Sequence, residues 1–83
     1  INTSSIIDHD VSIANFVHIA PGAVLCGSVQ VGEGTLIGAG AVILPGVKIG
    51  NWATIGAGSV VLNNVGDHEI VVGNPAKQIN RNN

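Results

Sequence analysis

The chain has 83 residues, of which 46% are apolar and 10% charged, with a formal charge of -2. Lys48, Lys77 and Arg81 are scattered and aromatics are 2% of the residues, so the basic stripe and stacking platform of a nucleic-acid binder are missing. The one cysteine, Cys26, has no internal disulfide partner, and neither a signal peptide nor an apolar run near the roughly 20 residues of a membrane span is present, so a cytoplasmic protein is expected.

In chain order, Ile1, Ile7, Ile13, Ile19, Leu25, Val31, Ile37, Ile43, Ile49, Ile55 and Val61 follow one another every six residues without an insertion. A repeat held in such register is the mark of a solenoid. We number the six places of each hexad from these residues, so that Ile7–Ser12 is one hexad. Place five holds small or β-branched residues, from Ser5, Val11, Val17 and Ala23 through Ala53, Ser59 and Val65. Places five and one lie two apart, share one face of a strand and point inward. Places three and four read Pro21-Gly22, Glu33-Gly34, Ala39-Gly40, Pro45-Gly46 and Ala57-Gly58. Such pairs suit a turn whose second residue needs a positive φ. Each hexad is therefore a short strand and a corner, and the pattern resembles the hexapeptide-repeat proteins. The resemblance implies an all-β fold, a left-handed parallel β-helix with three hexads per triangular coil, an exception to the right-handed crossover rule. It covers residues 1–66. Residues 67–83 are read as a C-terminal extension of turn, short strand and tail. The chain starts in register and without Met, so a fragment of something longer is expected.

With eighteen residues per coil, place six divides into three outward columns, stacked at about 4.8 Å. The first is Ile6, Val24, Val42 and Val60; the second is Ser12, Gln30, Lys48 and Gly66; the third is His18, Leu36 and Thr54. An exposed column of Ile and Val in so small a domain predicts a subunit interface.

The corner Asp8-His9-Asp10 departs from the small-residue pattern by placing a histidine between two acids. A carboxylate beside an imidazole can fix its tautomer, and histidine is suited to proton transfer near neutral pH; a solvated polar turn is the competing reading. The segments Ile1-Asn2-Thr3-Ser4-Ser5, Asp8-His9-Asp10, Phe16-Val17-His18-Ile19, Cys26-Gly27 and Val72-Gly73-Asn74-Pro75-Ala76-Lys77 resemble bacterial sugar acetyltransferases that act on sialic acid or 4-amino sugar nucleotides. The resemblance implies acetyl-CoA as co-substrate, a homotrimer with its prisms side by side, no metal, and an upstream sugar-binding domain that lies outside this chain. It implies His9 as general base supported by Asp10, and the Gly27 N–H facing the thioester carbonyl. It places His18, Ala39, Ala57 and Lys77 along acetyl-CoA, and Asn2 and Asp8 on the sugar side. His9 and His18 are nine residues apart, half a coil, so within one prism about 15 Å separates them, and one site using both would be shared between subunits.

Three other readings compete for these residues. Cys26 as an acyl-carrying nucleophile lacks a base at its own corner. A zinc site of the trimeric β-helical carbonic anhydrase type has His9, His18 and His68 to draw on, but not the closely spaced histidine pair of those enzymes. A non-catalytic β-helical binding module would need a flat outward array such as repeated Thr. His68 falls in a surface turn, and Asn80-Arg81-Asn82-Asn83 is read as a frayed end.

Overall fold

The computed structural model describes residues 5–79. These contain twelve short strands and no helix, wound as a left-handed parallel β-helix. Numbered along the chain, β1 (Ile6–Ile7), β4 (Val24–Leu25), β7 (Val42–Ile43) and β10 (Val60–Val61) stack into the first sheet. The second consists of β2 (Ser12–Ile13), β5 (Gln30–Val31) and β8 (Lys48–Ile49). The third runs β3 (His18–Ile19), β6 (Leu36–Ile37), β9 (Thr54–Ile55), β11 (Ile70–Val72) and β12 (Lys77–Gln78). Register follows the eighteen-residue period: Ile6 pairs with Val24, Ser12 with Gln30 and His18 with Leu36.

The inward places behave as the repeat requires. Ile19, Leu25, Ile37, Ile43 and Ile55 at place one, and Ala23, Val29 and Ala41 at place five, are wholly buried. Two buried place-five residues are polar, and both are hydrogen-bonded. The Thr35 hydroxyl donates to the Gly50 carbonyl at 2.7 Å and accepts from the Ala53 N–H, while Ser59 accepts from the Gly73 N–H. Such pairing removes the cost of burying a lone hydroxyl.

At place four every corner turns through a positive φ, at Gly22, Gly34, Gly40, Gly46 and Gly58 and also at Asp10, Phe16, Ser28 and Trp52. From Ser28 onward its N–H donates to the place-three carbonyl of the coil before, as in Gly46 to the Gly27 carbonyl at 3.0 Å. Gly34 is held by two demands, since its φ is +70° and a Cβ there would lie 2.2 Å from Cε3 of the Trp52 ring.

The six-residue count fails once. Ile70 pairs with Thr54 and Val65 bridges to Ile49, a spacing of sixteen residues in place of eighteen. The coil after Val61 is thus two residues short, and this corrects the expected second column. Gly66 does not stack on Lys48; the Asn64 side chain accepts from the Lys48 N–H there, and the Val65 N–H donates to the Lys48 carbonyl. The chain still adds to the stack past Gly66, because β11 pairs parallel with β9 before β12 returns antiparallel.

Replacing Gly40, with the same φ of +70° and no neighbour within 4 Å, isolates the backbone cost of a side chain at place four. Gly40→Ala should lose about 1–2 kcal/mol in urea unfolding, and Gly34→Ala more. In a Trp52→Ala background the two losses should become equal.

Candidate functional site

The three sheets meet at three corner columns. Corner A joins the first and second sheets and carries His9-Asp10, Gly27-Ser28 and Pro45-Gly46. Corner B joins the second and third and carries Asn15-Phe16, Glu33-Gly34, Asn51-Trp52 and, after the short coil, Asp67-His68. Corner C joins the third and first and carries Pro21-Gly22, Ala39-Gly40 and Ala57-Gly58.

The vertical ladder passes over the N–H at place three, so the corners differ in what happens to that donor. At corner B two of these donors are consumed: the Asn51 Oδ1 accepts from the Glu33 N–H at 2.8 Å, and the Asp67 Oδ1 from the Asn51 N–H at 2.7 Å. At corner A the His9 N–H is taken by Asp8. Among the described residues, the N–H groups of Asn15, Gly27, Ala39 and Ala57 have no partner within the chain. A Cβ at Gly38 would stand 2.6 Å from the Ala57 nitrogen, so glycine at that position keeps the donor uncovered.

His9 stacks directly over Gly27. Its Nε2 and Cε1 are each 3.6 Å from the point a Cβ of Gly27 would occupy, and its carbonyl accepts from the Ser28 N–H at 3.3 Å. The carboxylate on the ring is that of Asp8. One oxygen, Oδ1, accepts from the His9 peptide N–H at 2.7 Å and lies 2.8 Å from the ring Nδ1. An ionised carboxylate only accepts, so Nδ1 carries the proton and Nε2 is left as the lone-pair nitrogen. The backbone hydrogen bond first, and the ring hydrogen bond second, hold the Asp8 carboxyl below the usual carboxylate value. Asp10 sits at the left-handed corner position, φ 60°, with no hydrogen bond among the described residues. The ring support expected of Asp10 is thus supplied within the chain by Asp8, because the turn sends the residue after His9 into the left-handed corner.

The structure brings together only some of the expected residues. His9, Asp8 and Gly27 share corner A, while Ala39 and Ala57 stack on corner C, with the Gly58 N–H donating to the Ala39 carbonyl at 2.8 Å. His18 lies exposed on the third sheet, the one that does not meet corner A. Lys77 lies at the C-terminal end of the prism, in a cleft of about 420 Å³ that Asn63, Asn64 and Glu69 also line and that does not include His9. Asn2 lies outside the described residues. Among those described, no three His, Cys, Asp or Glu side chains gather as a metal-binding group, and no helix is long and apolar enough to cross a membrane.

Asp8 could have been found as the ring partner in the sequence, at place two. At corners B and C that place is Ala14, Gly32, Gly50 or Ala20, Gly38, Gly56, whereas beside corner A it is Asp8, Cys26, Leu44 and Leu62. A Cβ on Gly32 would come within 2.5 Å of the Gly50 backbone, so a small residue is enforced there, and among the described residues only corner A carries a long side chain at place two.

A lowered Asp8 pKa means that its hydrogen bonds contribute above the ordinary carboxylate value and are lost as pH falls through the lowered folded value. Carboxyl NMR titration should give Asp8 a midpoint below that of an ordinary aspartate. His9→Ala retains the peptide N–H, the larger cause, so it should raise the midpoint only part of the way.

The bacterial transferase hexapeptide family, defined by six repeats, matches residues 28–63. No curated protein matches the chain. Among solved structures, the acetyltransferase domain of PglB from Neisseria gonorrhoeae is 42% identical over 94% of this chain and 38% of its own, with a TM-score of 0.92, and is also known in complex with acetyl coenzyme A. A histidine-to-asparagine variant of perosamine N-acetyltransferase from Caulobacter crescentus, in complex with CoA and GDP-perosamine, is 38% identical over 95% of this chain and 38% of its own, TM-score 0.94. Galactoside acetyltransferase in complex with coenzyme A is 29% identical over 92% of this chain and 48% of its own, TM-score 0.87. The chain thus spans under half the length of these three proteins. On its repeat, its coil geometry and these likenesses, the chain carries the hexapeptide repeat and resembles the sugar acetyltransferases built on it.

Proposed function

We propose that the protein transfers an acetyl group from acetyl-CoA to a sugar, with His9 as general base. The observation that carries this is the stack at corner A: an imidazole whose Nε2 is its free nitrogen stands over a glycine whose N–H has no partner. Nε2 takes a proton from the sugar amine or hydroxyl as that group attacks the thioester carbonyl carbon. The oxyanion that forms is stabilised by the Gly27 N–H, and collapse breaks the C–S bond, the departing CoA sulfur recovering the proton from the imidazolium. No acyl-enzyme intervenes.

The residues present fit acetyl-CoA. Its pantetheine arm is an extended chain with two amides, and the open N–H groups of Ala39 and Ala57, one coil apart on corner C, are donors for such a chain. Lys77 at the end of the prism suits a phosphate. The 38% likeness to an N-acetyltransferase solved with a nucleotide sugar favours a nucleotide-linked amino sugar as acceptor, and a cytoplasmic setting accords with both substrates.

The open donors of Gly27, Ala39 and Ala57 lie on two corners flanking the first sheet, and His18 is on the third sheet, so a site using all of them draws on more than one chain. The column Ile6, Val24, Val42 and Val60 lies between those corners, with Ile6 59% exposed, and packs against a second copy in a homotrimer.

His9→Ala should lower kcat by about 10²- to 10⁴-fold without unfolding the protein, because the side chain is 77% exposed. Acetyl-CoA turnover on an amino sugar nucleotide, with a hydroxyl acceptor as control, provides the measurement. Trimers mixed from His9→Ala and His18→Ala protomers should regain activity that neither parent has. Full activity of His9→Ala contradicts the base; mixed trimers no better than the parents contradict the shared site.

A further inference from the structure

We propose that Asp8 is the positioning residue of the His9 base, holding the imidazole through Nδ1 so that Nε2 is the nitrogen offered to the substrate. The inference deepens, and rests on, the reading of His9 as base. Three observations carry it. A single oxygen, Oδ1, receives both the His9 peptide N–H at 2.7 Å and Nδ1 at 2.8 Å, so the main chain places the carboxylate before the ring meets it. A short charge-assisted bond of this kind fixes the tautomer and faces the imidazolium that forms during transfer with an anion. Secondly, among the described residues place two carries a side chain longer than alanine only beside corner A, the corresponding residues at the other two corners being glycine or alanine. Thirdly, Asp10 takes the left-handed corner position and makes no hydrogen bond among the described residues.

The test joins imidazole ¹⁵N spectra of the trimeric protein with acetyl-transfer kinetics. In the unsubstituted protein the neutral ring should be Nδ1-protonated. Asp8→Ala should shift the population toward the Nε2–H form and lower kcat by about ten-fold or more, leaving KM for acetyl-CoA within about two-fold. Asp8→Asn retains an acceptor but not the charge, so it should preserve the tautomer and still lose kcat; Asp8→Glu should recover part of the loss. Asp10→Asn should leave the tautomer unchanged. An unaltered tautomer in Asp8→Ala, kcat within about two-fold of the unsubstituted protein, or a tautomer change in Asp10→Asn overturns the proposal. The two readings fail separately: an active His9→Ala removes the base itself, whereas an inactive His9→Ala beside a fully active Asp8→Ala removes only the positioning role.

Discussion

The structure depends on vertical backbone hydrogen bonding at an eighteen-residue period. Each coil donates its place-two and place-six N–H groups to the next coil and, from Ser28 onward, its place-four N–H to the coil before, whereas the place-three N–H makes no such vertical bond. An unpaired backbone donor is satisfied by water, by a side chain or by a ligand. In a regular solenoid, function is then a matter of which donors the sequence uses up. Corner B closes the Glu33 and Asn51 donors with the Asn51 and Asp67 side chains, corner C leaves Ala39 and Ala57 open, and corner A gives one donor to Asp8 and leaves the other, at Gly27, beneath an imidazole.

The same regularity sets the limits on side chains. Place one needs a branched or long apolar residue, place five a small one, and place four a positive φ that glycine meets without strain. Where Asp10, Phe16, Ser28 and Trp52 take that place instead, the cost is on the order of 1 kcal/mol each. At the C-terminal end the short coil interrupts the pattern. There the side chains of Asn64, Asp67 and Glu69 accept from the N–H groups of Lys48, Asn51 and Gly66, and β12 turns back antiparallel, so the last parallel strand is paired on both sides. Pairing of this kind protects an edge that would otherwise invite another strand.

Most of the fold was legible because the hexad constrains every coil alike: the buried places, the corners and the three outward columns could be read from spacing. The two-residue shortening after Val61 could not, since Val65 still fits an apolar place in the six-residue count and only pairing with Ile49 shows the slip. At the site, the stacking of His9 on Gly27 followed from their separation of eighteen. Which acid serves the ring did not follow, because Asp8 and Asp10 are symmetric about His9 in the sequence. They become distinct only once place four is given its left-handed φ and place two is seen to accept a side chain at this corner alone. The division of place-three donors among corners was equally hidden, as it depends on the reach of Asn51 and Asp67 side chains.

The central claim is that the donors left open at Gly27, Ala39 and Ala57 receive the acetyl-CoA arm. Titrating acetyl-CoA into ¹⁵N-labelled protein and following backbone amides tests it directly. The account predicts that the Gly27, Ala39 and Ala57 amides shift and gain protection from exchange, while those of Glu33 and Asn51, already bonded at corner B, stay in place. Movement of the corner B amides with the other three unchanged would contradict it.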